Sequence, residues 1–110
     1  MNEIERLIRS LGIGGTYRGY KYLCYALSLC LENEDYLLAI SKLLYPEIAD
    51  AFQTTCGSVE RDLRTVINVC WERGNRNLLD NISFYPLETK PTTGEFLDLL
   101  VGYLQRNNLI

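Results

Sequence analysis

Residues 52 to 75 run Phe52-Gln53-Thr54-Thr55-Cys56-Gly57-Ser58-Val59-Glu60-Arg61-Asp62-Leu63-Arg64-Thr65-Val66-Ile67-Asn68-Val69-Cys70-Trp71-Glu72-Arg73-Gly74-Asn75. The pattern predicts the second half of a helix-turn-helix. A short helix ends near Phe52, Gln53-Thr54-Thr55 makes a tight polar turn, and a longer helix runs from about Cys56 to just before Gly74. Such a layout presents one helix edge to a DNA major groove while the preceding helix braces it. At 100° per residue Val59, Leu63, Val66 and Cys70 form a core-facing stripe. The opposite stripe holds Gly57, Arg61, Arg64, Thr65 and Asn68, with Ser58 at its edge. Arginine can grip phosphate or pair with guanine, and asparagine can pair with adenine. Thr54, Thr55 and Ser58 stand near the helix start, where hydroxyls and the helix dipole favour phosphate oxygens. A plainer reading stands beside this one. Glu60 and Arg64 are spaced for a surface ion pair, and Thr55 for an N-cap.

Outward from this stretch the period stays helical. Ile4, Leu7, Ile8 and Leu11 give an amphipathic first helix over 2–11, ended by Gly12, Gly14 and Gly15. Thr16 is placed to cap a second helix, about 17–32, apolar nearly all round and therefore central to the core. Asn33 is placed to cap a third, about 34–43. Pro46 breaks or restarts the chain and suits the first turn of a helix over 46–52. A short helix follows over 76–84, then a loop holding Pro86 and Pro91. Thr92-Thr93-Gly94-Glu95 fits a capping box opening a last helix, about 93–107. No stretch alternates as a strand does. The expectation is an all-α bundle of about six helices, one domain over residues 1–110, with the helix-turn-helix at about 46–73.

Composition narrows the function classes. The chain has 110 residues, 47% apolar and 23% charged, as in a soluble globular domain. No apolar run approaches the ~20 residues of a membrane span. The charged start, Met1 to Arg6, lacks a signal peptide's apolar stretch. A cytoplasmic location is the expectation. There is no histidine, so Ser-His and Cys-His nucleophile pairs are ruled out. Cys24, Cys30, Cys56 and Cys70 lack zinc-ligand spacing, and the first, second and fourth sit among apolar residues as small core side chains would. Gly12-Ile13-Gly14-Gly15 lacks the lysine and hydroxyl residue of a phosphate loop. No enzyme, cofactor, metal or small-molecule substrate is expected. Tyr17, Tyr20, Tyr22 and Tyr25 are open to two readings: core packing, or a stacking platform for single strands.

The net charge of −3 opposes phosphate binding, but it is uneven. Residues 1–31 carry Arg6, Arg9, Arg18 and Lys21 against Glu3 and Glu5. Residues 32–53 carry only Lys42 against Glu32, Glu34, Asp35, Glu47 and Asp50.

Several short motifs together resemble the C-terminal DNA-binding domain of the sporulation master regulator, stage-zero sporulation protein A. They are Gly19-Tyr20 with Tyr22-Leu23, Leu44-Tyr45-Pro46 with Ile48-Ala49, Phe52 with Thr54-Thr55, and Val59-Glu60-Arg61 with Arg64. They continue in Trp71, Arg73-Gly74-Asn75, Lys90-Pro91-Thr92 and Glu95-Phe96. The resemblance implies an all-helical domain that binds specific duplex DNA sequences, often as a tandem homodimer, in a spore-forming bacterium. It carries Glu60, Arg61 and Arg64 over as candidate base or phosphate contacts. It departs at Ser58, where that family has a base-reading arginine, and at Thr65, where it has a histidine. The family's phosphorylated receiver domain has no counterpart in this sequence. The competing expectation is a protein-interaction module that kept the fold and lost specific DNA affinity.

Overall fold

The computed structural model describes residues 2–108. Its elements are helical throughout: α1 (Glu3–Ser10), α2 (Arg18–Glu32), α3 (Asp35–Leu38), a π-helical turn (Ile40–Leu44), α4 (Tyr45–Ala51), α5 (Cys56–Arg73), α6 (Arg76–Ser83) and α7 (Thr93–Asn108). No strand occurs among the described residues. The expected all-α bundle is what forms.

α2 is the central rod. It packs against α1, α3, α4, α5 and α7. Tyr20, Tyr22, Leu23, Ala26, Leu27 and Cys30 are buried along it, and Cys24, Tyr25, Leu29 and Leu31 are half-buried. Both readings of the tyrosines therefore resolve to packing. The rings of Tyr22 and Tyr25 meet Phe52 edge-on, with centroids 5.2 and 5.6 Å away. The Tyr20 hydroxyl accepts from Arg9 Nε at 3.1 Å. Burial pushes the Cys30 and Cys70 thiols up to about 11, so both stay protonated and act as small apolar groups.

Two glycines let helices approach more closely than any side chain would allow. A Cβ on Gly19 in α2 would lie 2.2 Å from the Asp62 carbonyl oxygen of α5 and 2.8 Å from Val66 Cγ1. One on Gly74 would lie 2.3 Å from the Leu11 carbonyl oxygen. There the exit of α5 is tied to the exit of α1 by Asn75 N–H, which donates to Leu11 O at 3.0 Å.

Two local expectations need correction. Thr16 does not cap α2: Tyr17 occupies the cap position, without a side-chain cap bond, and its N–H donates to Gly14 O. The helix expected over 34–43 is interrupted. Asn33 does accept the Asp35 N–H, but α3 ends at Leu38, where Ala39 turns to φ −143° and ψ 63°. The chain then resumes with π-type bonding, Leu44 N–H donating to Ala39 O at 3.3 Å. Pro46 suits the first turn of a helix, as expected. Leu44 and Tyr45 are already helical, and Pro46 sits in the first turn of α4, where its missing N–H costs nothing. The capping box forms as expected. Thr92 N–H donates to Glu95 Oε1 at 2.9 Å, and Glu95 N–H to Thr92 Oγ1 at 3.2 Å.

Candidate nucleic-acid interface

α4 and α5 are joined by the four residues Phe52 to Thr55. Thr54 N–H donates to Ala49 O at 2.9 Å, and Gln53 takes a left-handed φ of 51°. The turn is sharp because one residue accepts that conformation, although it is not a glycine. α5 then begins at Cys56. Thr55 Oγ1 accepts the Ser58 N–H at 3.1 Å and so satisfies one of the helix's orphan donors. α4 packs directly on α5 and α2 packs beside it, so α5 is held from two sides. Val59, Leu63, Val66 and Cys70 are fully buried, as the stripe predicted. Ile67 and Val69 join them, so the hidden face is wider than a single stripe.

The other face is open. Arg61 and Arg64 side chains are 63% and 58% exposed. Gly57, Glu60 and Thr65 are also exposed, while Thr54, Ser58 and Asn68 are half-buried. The polar groups on this face already contact one another. Arg64 Nη2 pairs with Glu60 Oε2 at 3.1 Å, one helical turn away. Arg61 Nε lies 3.5 Å from Asp62 Oδ1, and its Nη2 reaches Ser58 Oγ at 3.5 Å. Thr55 donates its hydroxyl to Ser58 Oγ at 3.0 Å. Thr65 donates its hydroxyl to the Arg61 carbonyl at 3.0 Å, a bond within its own helix. Exposed pairs of this kind contribute less than ~1 kcal/mol and exchange readily for a stronger anion.

One basic residue was not among the sequence candidates. Lys90, in the loop before α7, donates its ammonium to Asn68 Oδ1. It lines a shallow groove with Arg64, Glu60, Tyr45 and Thr93. Burial raises the pKa of the Tyr45 phenol, and a hydrogen bond with the Thr93 side chain opposes the rise. The fold therefore gathers three cations, Arg61, Arg64 and Lys90, against the carboxylates of Glu60 and Asp62 along one side of α5. Twenty-two positions separate Lys90 from Asn68, and no local pattern announces such a contact.

No group of three or more metal-ligating side chains occurs among the described residues. No described helix is long and apolar enough to cross a membrane. The free cysteines lie apart in burial: Cys56 is exposed at the start of α5, Cys24 half-buried, Cys30 and Cys70 buried.

Residues 4–104 match the family model described as sporulation initiation factor Spo0A C terminal. The match spans nearly the whole chain, and the protein belongs to that family. The family is the DNA-binding domain of a sporulation transcription factor and not an enzyme family.

Proposed function

We propose that this member of the Spo0A C-terminal family is a transcription regulator that binds specific duplex DNA sequences through the outer face of α5. The observation that carries the reading is the disposition of that helix. Its inner face is sealed by α2 and α4, and its outer face projects Arg61 and Arg64 within three turns of a capped start. In this reading the first two and a half turns of α5 enter the major groove. Arg61 and Arg64 read guanine or hold phosphate, and Glu60 accepts from cytosine. Thr54, Thr55 and Ser58 meet the phosphates near the helix start. Asn68 lies ten positions beyond Ser58, ~15 Å along the axis, too far to share the same base steps. With Thr65 and Lys90 it is assigned to the flanking backbone. Residues 1–110 act as one unit, without cofactor or small-molecule substrate, and two copies occupy tandem half-sites in the cytoplasm.

With few cations on this face, binding should depend on salt only moderately. The log–log slope of affinity against salt is expected on the order of −3 to −5. A retardation titration from low to moderate salt measures it. A slope near zero would mean that the helix does not meet phosphate. A second variant probes how the helix is seated. Ser58→Arg is expected to add ~1–3 kcal/mol of preference for a guanine-containing site, because its position in the first turn lies where recognition helices touch bases. The Thr55 cap bond to the backbone survives that change. A uniform gain across sequences would place the new arginine on phosphate. No gain at all would favour the interaction-module reading over DNA binding.

A further inference from the structure

The opposite chemistry collects on α3, the π-helical turn and α4. A groove of about 580 Å³ lies between the start of α3 and the outer side of the π turn and α4. Asp35, Glu47 and Asp50 line it, against Lys42 alone. The ion pairs among the described residues are Arg61–Asp62 and Arg64–Glu60, so none of these three carboxylates has a cationic partner. Glu32, at the end of α2, adds to the same field. Burial raises the pKa of the Tyr36 phenol, and the charges of Glu47 and Glu32 raise it further. Apolar surface is exposed on the same segment. Leu38 is 85% exposed and Leu43 46%, the two most exposed leucines among the described residues. Both flank the backbone change at Ala39. The switch to π bonding turns Leu44 fully inward and leaves Leu43 outside.

We propose that this face docks a basic, amphipathic helix of a partner protein. Its charge excludes nucleic acid, because carboxylates repel phosphate. Its shape favours a helix. Leu43, Glu47 and Asp50 fall at i, i+4 and i+7 along a continuous helical run, a ridge that a second helix can pack against. An extended peptide would find no sheet edge here, since no strand exists among the described residues. Leucines on the partner would cover Leu38 and Leu43, and its lysines or arginines would flank them to meet Asp35, Glu47 and Asp50. This proposal stands apart from the DNA reading, because it uses a different face.

The test uses the whole chain and a fluorescent synthetic helix of ~18 residues, with leucines on one face and lysines beside them. Its control is the same composition scrambled. The amphipathic peptide is expected to bind at least about tenfold more tightly than the scrambled one. Glu47→Gln with Asp50→Asn, and separately Leu43→Ser, are each expected to weaken it about tenfold. All three positions are exposed, so thermal melts should stay near that of the parent, and DNA retardation should not change. Equal binding of both peptides would overturn the proposal, because the face would then sense charge alone. Unchanged affinity in the variants would also overturn it. So would sedimentation showing a self-association that Leu43→Ser abolishes, since the occupant would then be a second copy of the chain.

Discussion

Gly19→Ala is expected to destabilise the domain by roughly 2–3 kcal/mol, a large share of the stability of a chain this size. The added methyl would sit 2.2 Å from the Asp62 carbonyl oxygen, a backbone atom that no rotamer change can move aside. Relief requires α2 and α5 to separate, which loosens the buried contacts of Leu23, Leu63 and Val66 together. A melting temperature lower by at least about 10 °C is the expected reading. DNA affinity should fall with the folded fraction and recover once that fraction is accounted for. A change below ~0.5 kcal/mol would mean that α2 does not press on α5 in this way, and the seating of α5 would need another explanation.

The second large effect lies on DNA binding. Arg61→Ala combined with Arg64→Ala is expected to weaken specific binding by about 30-fold or more, at ~1–3 kcal/mol per lost contact. Stability should move by less than ~0.5 kcal/mol, because both side chains are exposed and their ion pairs are weak. Arg64→Ala should cost more than its own contact, since it leaves Glu60 unneutralised on the face proposed to meet phosphate. Val59→Asp makes the contrast. It buries an unpaired carboxylate at a fully enclosed position, and it should abolish binding by unfolding the domain. Retardation assays paired with thermal melts separate the two kinds of loss. If the double arginine variant melts with Val59→Asp, the division of α5 into inner and outer faces is wrong.

How far the sequence foretold this structure varied by element, for physical reasons. α5 was legible because one period runs its whole length, a threonine caps it and a glycine ends it. α7 was legible from the reciprocal bonds its Thr92 and Glu95 could make. The segment from Asp35 to Leu44 was not. Its bonding changes at Ala39 without a proline or glycine, and a helical window averages over the break. Thr16 had a capping side chain in a suitable place. The Gly14–Tyr17 turn instead puts Tyr17 at the head of α2, where burial of the neighbouring core sets the helix start. The left-handed Gln53 carried no signal, since glycine or asparagine usually marks such a position.

The candidate interface divides the same way. Arg61 and Arg64 share a face through local periodicity alone, so spacing placed them. Lys90 joins them only because the loop before α7 folds back over Asn68, a contact made by tertiary structure. Ser58, Thr55 and Thr65 were candidates by residue type, and the structure shows each already spending a hydrogen bond on α5 itself. Those bonds orient the hydroxyls and keep the first turn rigid, so a phosphate must compete with them or be met by the free backbone N–H groups of the helix start.

The most direct test of the central claim is selection from a random duplex pool at low salt, read by sequencing the retained molecules. Specific recognition through α5 predicts enrichment of one shared motif, and loss of that enrichment in the Arg61→Ala, Arg64→Ala variant at unchanged melting temperature. Retention of the pool without enrichment of any sequence, or an unchanged motif in that variant, would contradict it.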